Sequence, residues 1–209
     1  MKEAKKKMHT EDKLIATDLP RPNTKIISSP AEPIYIAQPI ASATSAADAC
    51  SKGMLYVIVT SLQTVAKDNS LVIQIENPNN SGKTVYLDQI SAFNSTVAAA
   101  AAGIYIQADL YRDATLSVTP STVTPHNRNF GYPAILYPSV CATGYINGAD
   151  PITAGTVVNT VVQPPSNPAI VFQLSGNIII PSNHDATFRI MNKTSQAVTL
   201  TVNLIWWES

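Results

Sequence analysis

The sequence predicts an all-β protein, an antiparallel β-sandwich preceded by an extended arm. Two observations point there. First, residues 198–207 alternate strictly: Val198, Leu200, Val202, Leu204 and Trp206 on one side, Thr199, Thr201, Asn203, Ile205 and Trp207 on the other. Period two is the mark of a strand with one buried face. At about 3.3 Å per residue it spans roughly 30 Å, a length that suits the middle of a large antiparallel sheet. Second, similar apolar or alternating runs recur along the chain, parted by turn clusters rich in Pro, Asn, Ser and Gly.

In chain order, residues 1–49 read as an arm and hinge. Pro20, Pro22, Pro30, Pro33 and Pro39 punctuate them and favour extended backbone. Within the arm, Ile34, Tyr35, Ile36 and Ile40 form a short apolar piece bounded by prolines, fit for a sheet edge. It is the candidate connector to another subunit by strand addition; folding back on its own domain stays open. Residues 41–53 are small and polar and read as the hinge. The body, 50–209, begins with 54–62, apolar on both faces, which needs core on one side and a lid on the other. Residues 70–76 follow, with Leu71, Ile73 and Ile75 inward. Asn77–Thr84 is read as a hairpin turn; it is one glycine short of a phosphate-binding loop, and a strand follows it instead of a helix. Residues 84–93 change phase midway, which predicts a bulge near Asp88-Gln89. The alanine run before Gly103 predicts a short helix capped at Asn94, Ser95 or Thr96. Residues 103–112 form the next strand. Residues 113–155 read as a long insertion without a regular strand series, since five prolines interrupt it. Residues 156–163, 169–174 (running on towards Ile180), 186–192 and 197–207 complete the set. Eight strands with one large excursion between the fourth and fifth predict a jelly roll; an immunoglobulin-like sandwich is the alternative, but the Cys…Trp…Cys spacing is missing.

Composition speaks to function. Charged residues make up 13 % of the 209-residue chain and the formal net charge is zero, so the surface is prone to association. This predicts a subunit of a homo-oligomer or helical polymer. Half of the Lys and Arg lie in the first 25 residues. Residues 1–13 hold five lysines, three acids and no arginine, too sparse for the usual phosphate-binding arm, so nucleic acid is not an expected partner. No secretory signal or membrane span is read, and the chain is expected to be made in the cytosol and to work at a cell, spore or particle surface. Cys50 and Cys141 have no metal spacing; free thiols and a disulfide, within or between chains, both stay open.

No catalytic group is apparent, and neither an enzyme nor a cofactor or metal is expected. His9, His126 and His184 are scattered, His184 in a turn. Asp109 and Asp113 flank Tyr111-Arg112 at a strand end, and a surface ion pair with the arginine is the expected role. The aromatics Phe130, Tyr132, Tyr137 and Tyr145 of the insertion are the candidate ligand or interface loop, either a stacking platform for a surface glycan or receptor or a pin between loop and body.

An arm punctuated by proline, an eight-stranded body, few charges and few cysteines together resemble the subunits of bacterial endospore appendages, the Ena-type spore fibres. The resemblance covers 33–40 as connector and 54–207 as body. It implies sandwich subunits stacked into a pilus-like fibre, connectors docked into neighbours, and sheets extended edge to edge. The chain departs from that family in two ways: residues 1–49 have no cross-linking cysteine, and the 113–155 insertion lengthens the body. Jelly-roll viral coat or decoration proteins share the same gross plan.

Overall fold

The computed structural model describes residues 45–94, 105–132, 142–167 and 169–209. They hold one helix, α1 (Ala46–Ser51), and twelve strands: β1 (Leu55–Val59), β2 (Gln63–Val65), β3 (Ser70–Asn77), β4 (Val85–Asn94), β5 (Tyr105–Leu116), β6 (Ser121–Thr122), β7 (His126–Asn127), β8 (Ala142–Gly148), β9 (Ile152–Gln163), β10 (Ala169–Ile180), β11 (His184–Lys193) and β12 (Val198–Glu208). They pair into two antiparallel sheets that pack as a β-sandwich. Sheet A runs β10-β4-β12-β1-β7, with β2 also on β12; sheet B runs β6-β8-β3-β11-β5-β9.

The core is where alternation places it. Leu71, Ile73 and Ile75 of β3, Ile106, Ala108 and Leu110 of β5, and Phe188 and Ile190 of β11 face Ile90 of β4, Phe172 of β10 and the even-numbered apolar residues of β12. Phe172 and Phe188 meet edge to face across the two sheets, 5.5 Å between centroids. As its length suggested, β12 is internal, flanked by β1 and β4. The phase change in β4 is a bulge: Ile205 pairs with Gln89 and Trp206 with Leu87, leaving Asp88 unmatched.

Four expectations are corrected. Among the described residues the strands number twelve rather than eight. The insertion is not free of strands: β8 pairs with β3 over seven residues, and β6 and β7 lie within the insertion too. The described prolines of the insertion, Pro120, Pro125 and Pro151, fall outside these strands, where they cost no ladder bond. Asn77–Thr84 is not a hairpin turn, because β3 belongs to sheet B and β4 to sheet A; the buried Asn77 amide donates to Lys83 O and Ile180 O and ties this crossing together. Finally, the hinge stretch contains α1, capped by Ser45, whose hydroxyl accepts from Asp48 N. α1 is the lid that the doubly apolar β1 required. Ala49 is fully buried against Leu55, Ile205 and Trp207 on the outer face of sheet A. Trp207 stacks flat on Tyr86 at 5.4 Å and lies over Gly176 of β10, whose φ of +78° and missing side chain make room for the ring. The helix expected after Asn94 lies outside the described residues.

Candidate functional site

The two lateral sides of the sandwich differ. On one side the insertion extends both sheets: β7 is added beyond β1 in sheet A, and β8 and β6 beyond β3 in sheet B. On the other side, among the described residues, each sheet ends in an unpaired edge strand, sheet A in β10 and sheet B in β9, both twelve residues long. Neither edge contains a charged residue or a proline. Edge strands of soluble proteins are commonly blunted by such residues. In β9 the neighbours Val157 and Val158 are both about half exposed, as is Val162, so both faces of the strand are open. Val171 and Ile179 of β10 are similarly exposed.

Between these edges the sandwich opens into a cleft of about 360 Å³. Its apolar lining includes Leu110 of β5, Val158, Ile178, Ile180 and Ala186 of β11. Two irregularities shape it. In β9, Leu110 pairs with Asn159 and Tyr111 with Val157, so Val158 is the extra residue of a bulge. In β10 the register with β4 jumps between Gln173 and Ile178 through Ser175 and Gly176, both at positive φ.

One rim of the cleft is polar. His184 Nδ1 lies 2.9 Å from Asp113 Oδ1, Arg112 Nε donates to Asp113 Oδ2 at 3.0 Å, and Asp185 N donates to Asp113 at 3.3 Å. Desolvation pushes the Asp113 carboxyl up, but these hydrogen bonds, the one with His184 foremost, outweigh it and hold the group below its ordinary range. Asp185 is turned to the body, accepting from Ala114 N and Thr187 Oγ1.

On the outer face of sheet B lies an ion cluster. Asp109 is 1 % exposed, so the expectation of a surface pair is corrected for this residue. Its partner is Arg189, directly opposite on β11, with Nη2 at 2.6 Å from Oδ2; Arg112 pairs with Asp113 instead. Gln107 Nε2 and Thr160 Oγ1 also donate to Asp109, Arg189 reaches Asp150 as well, and its guanidinium sits over the Tyr111 ring at 5.0 Å. Burial pushes the Tyr111 hydroxyl up, with Asp109 and Asp150 adding to the shift against Arg189. Arg189 serves both carboxylates, and Asp109 is further satisfied by Gln107 and Thr160, so the cluster is a structural clasp between strands.

Ile34, Tyr35, Ile36, Ile40, Tyr137 and Cys141 lie outside the described residues. Cys50 is half-buried beside the α1 cluster and joins no disulfide among the described residues. Tyr145 stands on β8 opposite Ile73 and packs on the main core. Tyr132 lies against Gly53 next to α1. Phe130 is 99 % exposed. Tyr145 therefore serves sheet B, while Phe130 and Tyr132 stand beside β7 at the edge of sheet A. Two features were not singled out from sequence, the bare β9–β10 side and its cleft. The signal available was the want of charge and proline in 152–163 and 169–180.

No protein-family model matches this chain, and no curated protein matches it in sequence. Among the described residues no helix is long and apolar enough to cross a membrane, and no three His, Cys, Asp or Glu side chains are grouped to hold a metal ion.

Proposed function

We propose that this chain is a structural subunit that assembles with copies of itself through its β9–β10 side. The observation that carries the reading is the pair of long, uncharged, proline-free edge strands flanking an apolar cleft, on a molecule that caps its opposite side with β6, β7 and β8. Unpaired strand edges add strands from other chains, and the exposed valines supply apolar area to the junction. The orders β10-β4-β12-β1 and β3-β11-β5-β9 support a jelly-roll core to which β2, β6, β7 and β8 are additions. Segment 33–40 remains the candidate connector to a neighbour. The resemblance to endospore appendage subunits makes a fibre the expected product.

Negative-stain electron microscopy of the full-length protein, concentrated without denaturant, tests the reading: uniform polymers are expected. Val157→Lys with Val162→Lys places charge at two half-exposed edge positions, sparing the fold. This variant is expected to stay dispersed. A parent chain that is monomeric at high concentration, or a double variant that polymerises as the parent does, refutes the proposal.

A further inference from the structure

In an assembly through the β9–β10 side, that side meets either the same side of a second copy or a different surface of it. The segment after β7 answers this. Asn127 donates to Gly53 O at 2.6 Å and accepts from Asn129 N; Asn129 donates to Cys50 O and accepts from Gly131 N, and its carbonyl takes Tyr132 N. Arg128 N donates to Leu55 O, and the Tyr132 ring closes on Gly53, where φ is +70° and a Cβ would lie 2.6 Å from the ring. Four tethers in six residues hold this turn on α1, Gly53 and β1, and at its tip the phenyl ring of Phe130 is fully in water. A turn tied so firmly gains nothing in its own fold from that ring. A rigid exposed aromatic is, however, what a binding anchor requires, because little ordering entropy remains to be lost on docking.

The cleft is the matching hole. Its 360 Å³ and apolar lining of Leu110, Val158, Ile178, Ile180 and Ala186 accommodate a phenyl ring. Knob and hole stand on opposite edges of sheet A, beside β7 and at β10. They also stand at the same level along the strands: Ile179 pairs with Tyr86, Tyr86 with Trp207, Trp207 with Leu55, and Leu55 O holds Arg128 N. At about 4.8 Å per strand, roughly 20 Å of sheet separates them. A sideways step of one molecule, with no change of level, brings the Phe130 of one copy to the cleft of the next.

Resting on the assembly reading, we infer that Phe130 is the anchor that seats in the β9–β10 cleft of a second copy, making the contact head-to-tail. Knob and hole face opposite ways, so a two-fold axis cannot satisfy both; such heterologous contacts run on into open chains unless a rotation closes them into a ring.

The test is a complementation in the full-length protein. Phe130→Ala removes the knob and Ile179→Arg obstructs the hole; both side chains are exposed, so folding is spared, and circular dichroism checks it. In sedimentation velocity each variant alone is expected to associate at least about thirtyfold more weakly than the parent, the usual scale for losing an interface anchor. Mixed in equal amounts they are expected to form dimers and stop there, because one intact knob and one intact hole remain between them. Variants that polymerise like the parent overturn the knob-and-hole contact while self-assembly stands. A mixture that stays as dissociated as its parts does the same. A parent that never associates overturns both.

Discussion

Removing the Asp109 carboxylate should be among the most damaging single changes on the outer face of sheet B. In Asp109→Ala, Arg189 loses the bonds from Nε at 3.2 Å and Nη2 at 2.6 Å, and Gln107 and Thr160 lose their acceptor. Arg189 is only 12 % exposed and keeps Asp150, itself 28 % exposed. Breaking a buried pair on one side costs about 3–5 kcal/mol, because the remaining charge loses its buried partner and keeps only the more exposed Asp150. For a chain of this size 1 kcal/mol moves Tm by about 2–4 °C, so the loss should be roughly 6–20 °C. Thermal denaturation followed by circular dichroism measures it. The companion Asp109→Leu, Arg189→Met removes both charges, and should recover much of the loss because no unpaired charge stays buried. A single variant within about 1 kcal/mol of the parent, or a double variant as damaged as the single, would show that the loss does not come from a stranded Arg189.

Other expectations follow from the same packing. Trp207→Ala empties the space between α1, Tyr86 and Gly176 and should cost about 3–5 kcal/mol, read as a lowered denaturant midpoint. Gly176→Val drives a branched side chain into the Trp207 ring at a positive φ, and should reduce Tm more than Gly82→Val, where φ is also positive but no atom lies within 4 Å. Asp113 has its folded pKa below the ordinary 3.8, so its contribution to stability is present above that value and lost as pH falls through the lowered one. Asp113→Asn should therefore flatten the acid limb of a plot of Tm against pH and leave the slope near neutrality unchanged.

How far the sequence carried depended on whether a feature was local. Period-two alternation placed β3, β10, β11 and β12 within a few residues, because one face of each looks into the core. It also showed that β1 needed cover on its second face. It could not name the cover, because α1 is a six-residue helix with little apolar signal of its own: Ala46, Ala49 and Cys50 suffice against Trp207, a large partner distant in sequence. The Asp109–Arg189 clasp was hidden for a similar reason. Arg112 is the nearer cation in sequence, but on a strand residues 109 and 112 point to opposite faces, whereas cross-strand register sets Asp109 opposite Arg189. The strand β8 is obscured in the sequence by the prolines scattered through 113–155, which break the pattern of the insertion as a whole although none lies within 142–148. Of the candidate site residues, Tyr145 shows the difficulty best: its type suits a binding platform, and only its pairing with Ile73 reveals a core role.

The asymmetry of the two sides gives the assembly reading its direction. The insertion that supplies β6, β7 and β8 extends the sheets on one side, and the same insertion ends its β7 segment in the exposed Phe130. On the other side no described strand is added, and β9 and β10 have neither the lysines nor the prolines that keep edges apart. If the bare edges were only a tolerated defect, charging them should be neutral or improve solubility, with no effect on any defined polymer. If they are half of a junction, the other half must be elsewhere on the same surface, and the tethered Phe130 turn is the feature whose shape, level and direction complement them. Loss of polymer on Val157→Lys and Val162→Lys, together with capped dimers from the Phe130→Ala and Ile179→Arg mixture, would tie both halves to one contact. Loss on the edge variant alone, with Phe130→Ala still polymerising, would mean that strand pairing suffices and that the knob serves some other surface.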